Sequence, residues 1–340
     1  MRNVHRGGQN DMATIKIPEF KITVNGQATD DLRGQVVQII VEDFEHGRAD
    51  NCEIVFQDVK KLWSGAWKPI RGDTVKIELG YKNEALADFG EFEIDELDLK
   101  SPPNTLTVRA RSAFPSKAFF QQNSVSYSDT SLSEALNLIA GAHGLKAEFE
   151  GKNVRFKTLV QYRESDTAFL KRIAEMYGFI FKITEKKMIL YEREIVEKRA
   201  PVVTLREGAN HTISLRETST GEIKKSRAVW YDWRNEKTIE SVETSVYQPV
   251  ATDEMRLYER VENAGQSQRI AESARRWADY YRVQGTIIAR ERQNLLQAGV
   301  TLRLRDYANF DGVYFVEYAR HIMNGTSHYE TELKVKKVAK

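Results

Sequence analysis

At 340 residues the chain exceeds one ordinary domain, so two or three domains are expected. Its 41% hydrophobic and 29% charged residues exclude a disordered chain, and a net charge of +2, with both signs interspersed, excludes a nucleic-acid-binding tail. One cysteine, Cys52, leaves no internal disulfide framework or cysteine-rich zinc site, and no apolar run approaches the ~20 residues of a bilayer span.

Residues 1–14 are polar, contain glycine and lack the apolar stretch of a secretory signal. They are expected to form a flexible N-terminus, with Met12 as a second candidate start. From Ile15 to about Ala113 the pattern is almost all strand. Cys52, Ile54 and Phe56 alternate with polar neighbours, as do Val75, Ile77 and Leu79, and then Leu106, Val108 and Ala110. A period of two belongs to strands with one buried face. The phase slips between Ile94 and Leu97, which predicts a bulge, and Pro102 and Pro103 separate that strand from the next.

The stretch 114–200 reads as a small α/β module. Ser131 and Glu134 form a capping box, followed by Leu132, Leu136, Ile139 and Ala140 at helical spacing. A second helix opens at Ser165, with Asp166 in its first turn and Phe169, Leu170, Ile173, Ala174 and Tyr177 on its apolar face. Gly178 is its stop, and residues 179–191 read as a hairpin.

Strands return from about Pro201. Ala228 to Trp233 predicts one, Thr238 to Val246 another, and Gln248 to Asn263 reads as a charged, irregular loop. A helix over about 267–282 interrupts them, with Ile270, Ala274, Trp277, Ala278 and Tyr281 in one stripe. The ends of the two β-rich regions resemble each other. Gly72 precedes Val75, Ile77 and Tyr81, then Gly90 precedes Phe92 and Ile94; likewise Gly299 precedes Leu302, Leu304 and Tyr307, and Gly312 precedes Tyr314 and Val316. Read as a repeat, this predicts two similar β-barrels or sandwiches in one chain.

Residues that could carry chemistry are sparse. His5, His46, His143, His211, His321 and His328 show no H-E-x-x-H or comparable metal spacing, and no P-loop, G-x-S-x-G or G-x-G-x-x-G occurs. Cys52 holds an apolar strand position and reads as a core thiol. Carboxylates alternate with apolar residues, as a solvated sheet face requires, and Arg71, Gly72 and Asp73 read as a turn. Lys224, Lys225, Arg227, Trp230, Tyr231, Trp233, Arg234 and Lys237 mix basic and aromatic types, as single-strand binders do. Val229, Tyr231 and Trp233 share one strand face, however, and packing in a core is the preferred reading.

The segment from Gln161 to Phe181 resembles the central part of the phage late control gene D family, which includes hub proteins of contractile tails and the N-terminal part of the type VI spike protein VgrG. Tyr162, Glu164, Ser165, Asp166, Phe169, Leu170, Ala174 and Gly178 carry the likeness. Here they read as a capped, packed helix. The C-terminal portion follows the same family's order, so the resemblance covers about residues 15–337.

The resemblance implies an α+β, mainly β fold with two similar tube-like β-barrel domains, 15–113 and 201–340, and the α/β module between them. It implies a structural homotrimer in a phage tail or phage-tail-like particle, made in the bacterial cytoplasm. That trimer would join a six-fold tail tube protein to a three-fold spike and other baseplate proteins. It brings no catalytic, metal or cofactor residues, no membrane and no specific nucleic acid. VgrG-type chains continue into further domains, whereas this sequence stops after its last predicted strand, so the spike is expected to be a separate protein. Two alternatives remain open: a nucleic-acid-binding β-barrel protein, which requires salt-dependent DNA affinity, and a tail-tip cell-wall hydrolase, which requires activity on peptidoglycan.

Overall fold

The computed structural model describes residues 16–28, 32, 34–112, 121–184, 186–208, 210–219, 222–245, 247, 253–280, 282–290 and 296–338. The N-terminus 1–14, His5 and Tyr281 lie outside the described residues. In chain order the first strands are β1 (Pro18–Val24), β2 (Gln27–Ala28), β3 (Val36–Phe44), β4 (Asn51–Gln57), β5 (Thr74–Tyr81), β6 (Ala87–Lys100) and β7 (Thr105–Ser112). The middle holds β8 (Gln122–Ser131), α1 (Leu132–Ala142), β9 (Lys146–Glu150), β10 (Arg155–Ser165), α2 (Asp166–Tyr177), β11 (Phe179–Ile183), β12 (Lys187–Glu192) and α3 (Arg193–Glu197). The rest comprises β13 (Val203–Arg206), β14 (His211–Glu217), β15 (Lys225–Asp232), β16 (Lys237–Thr244), β17 (Glu254–Leu257), α4 (Ala264–Tyr280), β18 (Val283–Ala289), β19 (Thr301–Arg305), β20 (Gly312–Asn324) and β21 (His328–Lys337). The fold is α+β and mainly β, as the alternation of apolar residues leads one to expect. Among the described residues no helix is long and apolar enough to cross a membrane.

One sheet runs in the order β14-β18-β21-β20-β3-β4-β7-β6-β5-β1-β2, with β19 also on β20 and β13 on β19. It serves two cores. Ile39, Ile54, Ile77, Phe92 and Val108 fill the one under β1 and β3–β7; Ile287, Leu302, Tyr314, Val316 and Leu333 fill the one under β13, β14 and β18–β21. Strand order in the two parts corresponds: β3-β4-β7-β6-β5-β1 in the first, β14-β18-β21-β20-β19-β13 in the second. The slip anticipated near Ile94 is a bulge at Asp95, between the pairs Ile94–Ala110 and Glu96–Arg109. Glu317 occupies the same place in β20, between Val316–Val335 and Tyr318–Lys334. Both bulges are tied alike. The Gly72 N–H donates to the Ile94 carbonyl at 2.9 Å, and the Gly299 N–H donates to the Val316 carbonyl at 2.8 Å. Both glycines have positive φ, +96° and +86°, which any side chain would strain. The parts differ at one end, where β1 runs antiparallel to β5 but β13 runs parallel to β19.

The middle residues build a third core. Leu132, Leu136 and Ile139 of α1 meet Phe169, Leu170 and Ile173 of α2, with Phe179, Phe181, Met188 and Leu190 from the β11–β12 hairpin. The predicted caps are present. Glu134 N–H donates to Ser131 Oγ while Ser131 N–H donates to Glu134 Oε2, and α1 ends at His143. Residues from further along the chain complete this core. Ala228, Ile270 and Ala271 are buried in it, with Trp230, Ile239 and Leu257 packed at its margin. The helix expected over about 267–282 therefore spans Ala264–Tyr280 and lies on the middle module as well as beside the last sheet. Small side chains permit the close approach: Ser226 Oγ donates to the Ala271 carbonyl (2.6 Å), and Ser267 Oγ donates to the Ala228 carbonyl (3.2 Å). The loop expected over 248–263 contains β17, which pairs in parallel with β15. Glu254 of that strand accepts from Arg227 of β15, a partner that charge pattern alone could not supply.

Leu170 is fully buried between α2 and its neighbours. Replacing it with Ala is expected to cost about 2–5 kcal/mol, measured by chemical denaturation. An unchanged midpoint would mean that α2 packs elsewhere.

Candidate functional site

The motif at 162–178 forms the end of β10 and the whole of α2. Ser165 is the N-cap, its Oγ accepting from the Ala168 N–H at 3.2 Å, and Gly178 closes the helix in the left-handed region with φ +76°. Phe169, Leu170 and Ala174 are buried. Glu164 reaches forward to Arg172, whose Nη2 lies 2.5 Å from its Oε1. A register shift between Tyr162 and Glu164 puts Arg163 at φ +50° and turns Tyr162 outward, 65% exposed. The structure thus separates Tyr162 from the other motif residues.

Asp166 holds the densest polar contacts of the motif. Its Oδ2 lies 2.7 Å from His143 Nε2, and its Oδ1 accepts from Gln161 Nε2 at 2.8 Å and Asn123 Nδ2 at 3.3 Å. Burial would raise its pKa, but the hydrogen bonds from Gln161, His143 and Asn123 outweigh that and hold the carboxyl below its ordinary range. The cluster ties the end of α1 to the start of α2 and to β8. Sequence reading placed His143 at a helix end but could not find Asp166 as its partner, because the two are joined only by the packing of α1 on α2.

A second polar cluster lies beside a small fourth core of Ile180, Val196 and Phe315, where the three parts of the chain meet. Arg193 of α3 is buried, its guanidinium stacked on Trp277 (4.4 Å), Tyr280 (4.5 Å) and Phe315 (5.0 Å). Its Nε donates to Glu197 Oε1 at 3.0 Å, and Nη2 lies 3.6 Å from Glu317 and 3.9 Å from Glu45. Lys336 Nζ reaches Glu317 at 2.6 Å. Three carboxylates thus face two cations in a buried space. Burial raises Glu45, and it pushes Glu197 up to about 7 despite the pull of Arg193. Burial works against a charged Arg193, but Glu45, Glu197 and Glu317 more than compensate and keep it cationic. Nothing in the sequence marked Arg193, since its partners other than Glu197 come from three separate segments.

The β3–β4 turn carries further ties. Glu45 N–H donates to the Glu317 carbonyl (3.1 Å), Gly47 N–H donates to the Phe181 carbonyl, and Phe181 N–H donates to His46 Nδ1 (both 2.9 Å). Gly47 is required here: φ is +62°, and a Cβ would lie 2.6 Å from Lys171 Cδ. Beside it, Lys182 Nζ donates to Asp43 (2.6 Å) and lies 3.7 Å from Asp50, which burial pushes up to about 7.

The remaining chemical candidates have local partners. His211 meets Tyr307, His328 meets Glu330, and buried His321, held down to about 4 by burial, lies 3.0 Å from both the Tyr329 and Thr331 oxygens. Cys52 is buried. No group of three or more His, Cys, Asp or Glu among the described residues could hold a metal ion. The aromatic strand corrects the expectation of a packed face. Ser226, Ala228 and Trp230 face α4, so Tyr231 and Trp233 point outward, edge to face at 4.8 Å, with Trp233 78% exposed. Where the helix approaches closest, the inward positions are the small residues Ser226 and Ala228. Arg227 nearby is already paired with Glu240 and Glu254.

The family described as the Alg8 N-terminal domain matches residues 14–252, more than half of the chain. The chain belongs to that family. It is 28% identical over 182 residues to a probable baseplate hub protein of Escherichia phage 186, and 26% identical over 171 residues to one of Escherichia phage P2. Those matches cover 53% and 49% of this chain, and 46% and 43% of the relatives, so the chain matches less than half of each relative's length. They bear out the resemblance to tail hub proteins. Among solved structures, a tail protein from Neisseria meningitidis aligns at TM-score 0.72 and 13% identity, covering 94% of this chain and 96% of that one. A prophage tail protein from Shewanella oneidensis aligns at 0.69 and 12%, covering 93% and 98%. An Escherichia coli type VI secretion component aligns at 0.54 and 12%, covering 90% and 74%. These three share the fold.

Removing Arg193 leaves Glu45, Glu197 and Glu317 facing one another with Lys336 alone. Arg193→Ala is therefore expected to cost about 3–5 kcal/mol in denaturation. Glu197, raised from 4.5 to about 7, binds a proton in the native chain that the unfolded chain releases. Its contribution is full below the unfolded value and is lost as pH rises through about 7. Melting curves between about pH 5 and about pH 8 should show Glu197→Gln gaining on the parent as pH rises. A pH-independent difference would contradict this.

Proposed function

We propose that the chain is a trimeric hub of a contractile-tail baseplate, joining a six-fold tail tube to a three-fold spike. The observation that carries the proposal is the doubled sheet. Two parts of one chain share strand order, an acidic bulge and a glycine tie into the carbonyl before that bulge. We read them as two tube-like β-barrel domains, about 15–113 and 201–340, beside the 114–200 module, with 225–280 packed onto that module. Three such chains give six similar units around an axis, which reconciles the two symmetries by duplication.

The baseplate-hub relatives and the shared fold with tail proteins support this role. In it the motif residues Tyr162, Glu164, Ser165, Asp166, Phe169, Leu170, Ala174 and Gly178 are structural, shaping α2 and its approach to α4. The chain acts without catalysis, is made in the bacterial cytoplasm and is built into a phage or phage-like particle.

The test is co-expression with the spike and tube proteins of the same particle, followed by mass determination by light scattering and imaging. Three copies of this chain per spike are expected. One copy, or a ring of six, would overturn the proposal.

A further inference from the structure

Within the chain, the two parts of the large sheet are already joined edge to edge. The first half of β20 pairs with β19, from Leu304–Gly312 to Thr301–Phe315. Beyond the bulge at Glu317, its second half pairs with β3 along the same edge, from Tyr318–Phe44 to Met323–Ile39. β6 is the counterpart of β20. Its first half pairs with β5, but beyond the bulge at Asp95 the segment 96–100 has β7 on one side and no strand on the other among the described residues. β14 is the counterpart of β3, and among the described residues it pairs only with β18. The chain thus carries one filled seam and the two separate halves of a second.

We propose that the second seam forms between copies: β14 of one chain pairs antiparallel with residues 96–100 of β6 in the next. This rests on the hub reading for the number of copies, and specifies how they join. The registers within the chain determine the pairing. Ile94 corresponds to Val316 through the matching bulges, so Asp98 takes the place of Arg320 and Leu99 that of His321. Ile39 and Ile213 correspond because each lies one strand beyond an equivalent residue, Ile54 or Ile287, which in turn pairs with Val108 or Leu333. Arg216 therefore takes the place of Glu42, and Leu215 that of Val41. Carrying the Arg320–Glu42 and His321–Val41 pairs across puts Asp98 opposite Arg216 of the neighbouring copy, and Leu99 opposite its Leu215.

The transferred pairs are chemically sound, although no side chain entered the alignment of the seams. In the filled seam Arg320 lies between Glu332 and Glu42, at 3.9 and 4.0 Å. In the proposed one Asp98 has Arg109 of β7 on one side, at 4.0 Å, and gains Arg216 on the other, so the charges are reversed but still opposite. Arg216 makes no ion pair among the described residues. Leu99, 58% exposed on an open edge, would be covered by a leucine. Pro102 and Pro103 lack N–H groups and end the ladder at its proper length. Each chain offers one edge of each kind, so the contact is head-to-tail and closes only as a ring.

The test uses the full chain carrying Leu99→Cys and Leu215→Cys. Facing residues of an antiparallel pair lie about 4.5–5.5 Å apart at Cα, within disulfide reach. Mild oxidation should give covalent dimers and trimers on a non-reducing gel, whereas either single variant should give none. Asp98→Arg or Arg216→Asp alone should weaken self-association by about tenfold, and the double exchange should restore it. Circular dichroism would verify that these substitutions leave the fold intact. Several copies by light scattering without the disulfide would overturn the proposed seam and leave the hub reading standing. A parent chain that stays single, both alone and with its spike and tube partners, would overturn both.

Discussion

A buried guanidinium where the three parts of the chain converge is the constraint on which their relative placement depends. Arg193 is contributed by the short α3, Glu45 by the turn after β3, Glu317 and Lys336 by the last sheet, and Trp277 and Tyr280 by α4. A desolvated arginine is tolerable only if carboxylates and ring faces surround it, so those segments must arrive together. The Glu45 N–H, bonded to the carbonyl of bulged Glu317, adds a directional backbone tie at the same point. The bulge has two consequences: it bends β20, and it turns an acidic side chain toward Arg193.

The same bulge divides the long strand into two pairing segments. Before it, β20 completes its own sheet with β19; after it, β20 serves β3 of the other part. This is how two separate cores come to share one continuous hydrogen-bonded sheet. It also makes the seam stiff, since sliding by one residue would turn Val41 and Met323 out of the core. Asp95 produces the same division in β6, where the second segment is left open.

The middle module acts through contacts of a different kind. Its interior is apolar and built on α1, α2 and the β11–β12 hairpin, and its attachment to the large sheet joins a small apolar cluster of Ile180, Val196 and Phe315 to directional polar ties. Lys182 bridges Asp43 and Asp50, while His46 and Gly47 take up both backbone groups of Phe181. Directional bonds at the joint fix an angle that interchangeable apolar contacts would leave less defined. The proposed hub role would depend on a fixed angle between parts more than on the depth of any one core.

The sequence by itself determined the local structure. Alternation at Cys52–Phe56 and Val75–Leu79 marks strands because the pleat has a period of two, and Ser131, Ser165 and Gly178 mark helix ends because unpaired N–H and C=O groups there need those residue types. It also exposed the repeat, since Gly72 and Gly299 occupy positions that only glycine enters without strain. Tertiary structure alone decided the rest. Glu45, Trp277 and Glu317 reach Arg193, and Asn123 and His143 reach Asp166, from far along the chain, and no spacing rule links them. Trp230 rather than Tyr231 and Trp233 faces inward because α4 requires Ser226 and Ala228 beneath it. The charged stretch around Glu254 became a strand because β15 offered it an edge and Arg227 a counter-charge. Periodicity reports which residues share a face; what comes to lie against that face is set by packing between segments distant in the chain.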